Sequence, residues 1–467
     1  MKRTHWGSQI GFILATAGSA IGLGNIWRFP YLAGQNGGGT FLLLYLICIF
    51  GLGYFILTAK LAFGRTAQTN IIDGFQVVAQ KNNKSVHRFW GVTAGSLTVF
   101  NTFFVSSIYL IVIGWTLFYF CHSSMYLIGL TDNPLNKQTF ESLTGSFSQQ
   151  LLWGSLCVLA TVLILIRGIK KGIEKFSLYL MPILFFLLVF LVFWILTLPN
   201  ATTGLKFYLI PNWEAMGFTS DGFQFKIFAD LLIKVLGQAI YSLSLGLGTV
   251  FIYGSYLSNK ENIVKSAKWI VLLDTLVAFF AGLIILPAVF SFNLAPETGP
   301  TLTFITLPLV FEQISVGSFL MFVFFALLFI AALTSLISIY EPIVNLLTEK
   351  TKLSRSVAVG VVGLGNILGS CVILLSFTNT LPIQINGKNL FDMIDTLTGS
   401  FTMAALVFFC LLFMGWIVST AIIRNLQEGT DKPLSKFYRR YLRFTIRFTA
   451  PLVMLILFIN ALMDLFK

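Results

Sequence analysis

The chain has 467 residues, of which 56% are hydrophobic and only 10% charged, with a mean hydropathy of +0.85. A soluble domain carries nearer a quarter charged residues, so a water-soluble globule is excluded. The formal net charge of +13 would suit a nucleic-acid binder, but the basic residues gather in short stretches between long apolar ones, which points to membrane topology instead.

In chain order, a stretch can cross a membrane when about 20 mostly apolar residues run together, because the hydrocarbon core is roughly 30 Å thick. Helix is then forced, since backbone groups in lipid must bond within their own segment. Eleven spans are predicted on this basis, at 8–34, 39–63, 89–121, 150–167, 174–198, 226–256, 262–291, 317–348, 355–376, 391–423 and 441–464. With the N-terminus inside, most of the 31 Lys and Arg fall on inner loops, and the outer segment 292–316 holds none. That is the positive-inside pattern, and it predicts a multi-pass protein of the inner (plasma) membrane with a cytoplasmic N-terminus and an outside C-terminus. Lys2 and Arg3 precede a span without a small-residue cleavage site, so the first helix is expected to be retained. The five cysteines (48, 121, 157, 371 and 410) are scattered along the spans and suggest no disulfide framework. Asn200-Ala201-Thr202 matches a glycosylation sequon, read here as a chance match.

Two similar halves follow one another, 8–198 and 226–423, with 441–464 as an additional helix. Each half supplies five spans and opens with a helix interrupted by the same tripeptide, Gly22-Leu23-Gly24 and Gly246-Leu247-Gly248. An odd number of spans per half makes the halves inverted copies. Glycines also serve close packing in membrane helices, but matched positions and matched serines (Ser19; Ser242 and Ser244) favour paired broken helices, the best sequence pointer to a transporter site.

The first break continues as Asn25-Ile26-Trp27-Arg28-Phe29-Pro30, then Asn36-Gly37-Gly38-Gly39. With Arg167-Gly168-Ile169, Lys171-Gly172-Ile173-Glu174, Gly237-Gln238, Ser242 to Gly246 and Leu333-Thr334-Ser335, it resembles the neurotransmitter:sodium symporter family over nearly the whole chain. The bacterial member LeuT exemplifies the broken-helix site. The resemblance implies an all-α polytopic membrane protein, a LeuT-type 5+5 inverted repeat with broken helices 1 and 6 and about 11 transmembrane helices, acting as one transporter domain, 1–467.

An unwound helix exposes N–H donors and positive dipole ends to an anion, and free carbonyls to a cation. By resemblance, an amino-acid carboxylate meets the N–H groups of Leu23 and Gly24 and the Tyr109 hydroxyl, and its ammonium meets carbonyls near Ala20 and Tyr241 to Ser244. The side-chain pocket implied is Val105, Tyr109, Tyr241, Leu247 and Ile339, with Ser19, Ser244 and Ser335 beside it, mostly apolar and uncharged. Gly22 stands where monoamine transporters carry Asp, so the substrate is expected to bring its own carboxylate. Two Na⁺ ions are implied, which as hard cations want oxygen ligands. The first lies among Ala20, Asn25, Ser242, the substrate carboxylate and Asp274; the second among Gly18, Ile21, Ala331, Thr334 and Ser335. Taken alone, Thr334 and Ser335 could equally bond back to their own helix. The family often has Asn at position 274. Asp274 supplies a fixed negative charge, so no chloride requirement is expected, although Tyr45, Gln238 and Ser242 match chloride-site positions.

The resemblance also implies an outer gate between Arg28 and Asp395, with Tyr109 and Tyr241 as a lid. An inner gate would join Arg3 and Trp6 to the end of helix 8 at Glu349, near Tyr256. Gly172 and Pro182 match an element that unwinds to hydrate the second sodium, though a plain proline kink reads almost as well. Lys234, Glu341 and Asp392 carry no assigned role. The function implied is sodium-coupled import of a neutral, hydrophobic or aromatic amino acid by alternating access. The alternatives are a non-transporting sodium-dependent amino-acid sensor and a symporter of another small zwitterion; a betaine-like cargo would need an aromatic cage, which the pocket lacks. An enzyme is not expected, because His5, His87 and His122 are scattered and no nucleophile–base set appears.

Overall fold

Long apolar runs without water must satisfy their backbone internally, and helix accordingly dominates a computed structural model that describes residues 4–82, 88–131, 135–292, 300–378, 380–381, 383–385, 387–430 and 432–465. Nine described helices are long and apolar enough to cross a membrane: Gly39–Ala67, Gly91–Leu127, Phe147–Leu165, Ile169–Ile195, Ile263–Ser291, Gly317–Lys350, Arg355–Phe377, Leu390–Ile417 and Lys436–Met463. A bent pair, Gln9–Ala20 with Gly24–Gln35, makes a tenth. Phe225–Ser242 with Thr249–Ser255 fills the sixth predicted position, 226–256. It carries Lys226, Asp230 and Lys234 in its first half, which lowers its apolar content. Boundaries shift most at the third span, which runs on to Leu127 because no breaker interrupts 117–127.

The first helix breaks where predicted. Ser8 starts it as an N-cap, its side chain accepting from Gly11 N–H, which satisfies an orphan donor of the first turn. The helix stops at Ala20, Ile21 turns extended (φ −70°, ψ 109°), and a wide turn over Gly24–Arg28 restarts it. Pro30 follows just after that wide turn, near the start of Phe29–Gln35. The two pieces meet at 55°. The second break runs through residues 243–248, and Ser244 takes a left-handed backbone there with φ 51°, a strained state for a residue with a side chain.

Close backbone contact fixes the inner part of that helix. A Cβ on Gly64 would collide with the Phe251 carbonyl, and one on Gly254 would lie 2.5 Å from the Leu61 carbonyl. Gly39–Ala67 and Thr249–Ser255 therefore touch main chain to main chain, the small-residue packing of membrane helices. Gly317–Lys350 and Ile263–Ser291 are the most buried spans; Ile169–Ile195 and Lys436–Met463 are the least and turn apolar faces outward. The fifth span starts wound, as a wide turn over Ile169–Glu174 running into Lys175–Ile195 with Pro182 inside.

Candidate functional site

The two breaks face each other across a small recess of about 40 Å³. Its lining takes in every residue the resemblance implied for substrate: Ser19, Ala20, Leu23 and Gly24 from the first break, Val105 and Tyr109 from the third span, Tyr241, Ser242, Ser244 and Leu247 from the second break, and Ser335 and Ile339 from the eighth. Leu247, Ile339 and Met403 form an apolar cluster with Val105, Tyr109 and Tyr241 packed on it. Met403 carries no sequence motif and was not anticipated. It sits where a Cβ on Gly246 would overlap its side chain, so the glycine of the second break makes room for it. The Gly22 position is equally tight: a Cβ there would lie 2.7 Å from the Ser335 hydroxyl. The hydroxyls of Ser19 and Tyr109 are buried without a hydrogen-bond partner, with Leu23 N–H and Ser335 near Tyr109.

Beside the recess lies a polar knot of buried groups. Asn25 Nδ2 donates to Asp274 Oδ1 at 2.8 Å and to Ser242 Oγ at 3.0 Å. Ser242 Oγ donates to Asp274 Oδ2 at 2.7 Å, and Tyr45 Oη donates to Ser242 Oγ at 3.3 Å. Gln238 Nε2 donates to the Gly24 carbonyl at 2.9 Å, an oxygen that also accepts from Phe29 N–H. Asp274 is 0% exposed, and no described Lys or Arg pairs with it. A carboxylate buried without a counter-charge is costly. The carboxylate and hydroxyl oxygens suit a small hard cation; Asn25 turns its Nδ2 to them and its Oδ1 to Gly22 N–H at 3.3 Å.

A second oxygen cluster lies nearby. Ser335 Oγ donates to the Ile21 carbonyl at 3.0 Å and the Gly18 carbonyl at 3.4 Å, while Thr334 Oγ1 turns back to the Ala331 carbonyl at 3.0 Å. Thr334 thus bonds its own helix, and Ser335 reaches across to the first break. A Cβ on Gly18 would lie 3.4 Å from the Thr334 Cβ, so the first break and the eighth span meet closely here.

Above the recess a cavity of about 490 Å³ opens, lined among others by Trp27, Arg28, Tyr31, Asp392, Asp395 and Thr398. Arg28 and Asp395 make no direct ion pair; the Arg28 guanidinium instead lies 4.5 Å over the Tyr241 ring, a cation–π contact. The implied outer pair is open in this structure.

The opposite end is closed. The Trp6 indole does not contact Glu349; it donates to the Tyr253 carbonyl at 3.0 Å and packs edge-on against that ring at 5.1 Å. Arg3 lies outside the described residues. Glu349 accepts from Asn70 N–H, Thr69 and Asn345. Tyr256 donates to Glu341 at 2.7 Å, and Arg355 grips the same carboxylate at 2.6 and 3.0 Å. Glu341, without a role on sequence grounds, is thus the centre of the inner closure. Its pairing with Arg355 needs the helix reversal at 351–354, which no motif signals. Glu174 also contributes, accepting from Gly7 N–H at 2.6 Å and Ser8 at 2.8 Å. Lys234 is exposed and donates to Asn36 Oδ1 at 2.8 Å.

The model of the sodium:neurotransmitter symporter family matches residues 3–138 and 135–467, nearly the whole chain. The chain belongs to that family. It is a symporter of the LeuT fold, a 5+5 inverted repeat with its first and sixth helices broken. The family is one of transporters, and the protein is a sodium-dependent, multi-pass membrane member of it. An uncharacterized sodium-dependent transporter of Bacillus subtilis is 35% identical over 460 residues, covering 98% of each chain. One of Haemophilus influenzae is 32% identical over 474 residues, covering 99% of this symporter and 98% of its relative. The solved structure of MhsT in complex with L-phenylalanine superposes with a TM-score of 0.84 at 35% identity, covering 98% of the symporter and 100% of MhsT.

Proposed function

We propose that the protein imports a neutral hydrophobic or aromatic amino acid together with two Na⁺ ions, by alternating access and without chloride. The observation that carries this reading is Asp274, a fully buried carboxylate held only by Asn25 and Ser242, next to a recess with an apolar wall. One sodium would bind Asp274, Asn25, Ser242 and the Ala20 carbonyl, and the Asp274 charge takes the place of an anion. The other would bind Gly18, Ile21, Ala331, Thr334 and Ser335. The substrate carboxylate would use Tyr109 and the N–H groups of Leu23 and Gly24, at the positive end of the restarted helix. MhsT, solved with L-phenylalanine, supports an amino-acid cargo with an apolar side chain. In this reading 8–198 and 226–423 are the inverted halves, the N-terminus is cytoplasmic, and the C-terminus lies outside.

The driving force is adequate. Each charge crossing about 100 mV contributes roughly 2.3 kcal/mol, and a tenfold sodium gradient adds about 1.4 kcal/mol per ion. Two sodium ions with a zwitterion supply roughly 7 kcal/mol, enough for about 10⁵-fold accumulation.

The test is uptake of each of the twenty amino acids into proteoliposomes, with sodium exchanged for choline and chloride for gluconate. Sodium-dependent uptake of one or more apolar amino acids that survives gluconate is expected. Binding without uptake would make the protein a sensor, and loss of uptake in gluconate would overturn chloride independence.

A further inference from the structure

Lys60 lies in the interior of the second span, 4% exposed. An ionisable side chain inside a span is costly and marks a function by default. No described carboxylate pairs with it. Its Nζ instead donates to the main-chain carbonyl of Leu245, in the middle of the second break. Lys60 and Gly64 stand four residues apart on one helical face. Because Gly64 brings that face against the main chain of Phe251 and Ser255, the Lys60 side chain is delivered to the break just above.

The break needs such a partner. Backbone groups freed by unwinding must be satisfied within the protein at membrane depth. Leu245 N–H reaches back to the Ile240 carbonyl at 3.3 Å and Leu247 N–H to Ser244 at 3.3 Å. The Ser244 hydroxyl makes only a long contact to the Ser19 carbonyl, 3.4 Å. These bonds are long, and Ser244 carries a left-handed backbone. The Lys60 contact comes from a donor with three N–H bonds and no competing carboxylate among the described residues. At the first break the neutral Gln238 amide holds the Gly24 carbonyl; at the second a tethered amine does the same for Leu245.

We infer that Lys60 is a positioning residue of the binding site, whose hydrogen bond to the Leu245 carbonyl holds residues 243–248 unwound with Ser244 and Leu247 turned to the recess. It is the resident counterpart of the ions that hold the first break. The consequence for uptake rests on the function proposed above; the structural consequence does not.

The test compares the intact protein with Lys60→Met, which keeps the length and removes the donor, and Lys60→Gln, which keeps an N–H donor. Hydrogen–deuterium exchange over residues 243–248 is measured in NaCl and in choline chloride. Loss of a hydrogen bond of this kind predicts about tenfold faster exchange there in Lys60→Met, with residues 18–25 unchanged, and Lys60→Gln close to the parent. With L-phenylalanine as probe, KM should rise about tenfold in Lys60→Met while the maximal rate changes much less. Exchange over 243–248 in Lys60→Met within twofold of the parent overturns the inference, whether or not any amino acid is transported. If Lys60→Met does not fold, Lys60→Gln decides alone: parent-like exchange supports the role of the donor, and tenfold faster exchange overturns it.

Discussion

At the scale of single residues, the proposed function puts the choice of cargo and ion on Gly22 and Asp274. The Asp274 carboxylate is held by two neutral donors, so its charge is left for a cation. Asp274→Asn removes that charge while keeping the shape. The expected outcome is a rise of about tenfold or more in the sodium concentration for half-maximal uptake, since hydrogen bonds and contacts to charged groups are worth about 1.5–3 kcal/mol, together with a new dependence on chloride. Sodium titrations in chloride and in gluconate check it, and an unchanged sodium curve would refute the assignment. Gly22 acts by absence. Because a Cβ would lie 2.7 Å from the Ser335 hydroxyl, Gly22→Ala should weaken sodium-dependent amino-acid binding by about fivefold to 150-fold through overpacking of about 1–3 kcal/mol. Scintillation-proximity binding measures this, with the same variant's detergent melting curve separating a site effect from misfolding.

At the scale of elements, the inner closure hangs on the eighth and ninth spans. Glu341 is 0% exposed and Arg355 about a quarter exposed at its side chain, and removal of one partner from a buried pair costs about 3–5 kcal/mol. Arg355→Met should therefore lower the melting temperature and make a cysteine placed at Ser8 reactive from the inner side. Equal labelling in parent and variant would show that the pair does not hold the inside shut. The breaks, the oxygen clusters and the recess were legible in the sequence because glycine pairs, serines and a lone intramembrane Asp are local signals. Met403, Glu174, Glu341 with Arg355, and Lys60 with Leu245 were not. Each depends on which helices lie side by side, and neither periodicity nor spacing encodes that. Trp6 shows the same limit: the resemblance joined it to the end of the eighth span, but its partner is the Tyr253 carbonyl.

At the scale of the whole molecule, the structure is open above the recess and shut below it, with Arg28 lying over Tyr241 and not on Asp395. Thr398 lines the open cavity. Thr398→Cys should react with a membrane-impermeant thiol reagent in sodium, and a saturating transported amino acid should slow that reaction about tenfold or more as the outer pair closes, the size of shift a ligand with about 1.4 kcal/mol of differential affinity produces. The five native cysteines are free, so the experiment starts from a background in which they have been replaced. No protection by any amino acid would count against outer closure around a bound substrate.

The main-chain contact between Gly64 and Phe251, and between Gly254 and Leu61, carries a mechanical consequence. With no side chains between them to repack, the lower piece of the sixth helix and the second span can only travel as one rod. Any swing that opens the inner side must then pivot above this joint, at residues 243–248, and the effort spent on it is transmitted to the second span without slack. Adding a methyl group at residue 64 would prise the rod into two, and the protein would keep its pocket but lose the lever that empties it.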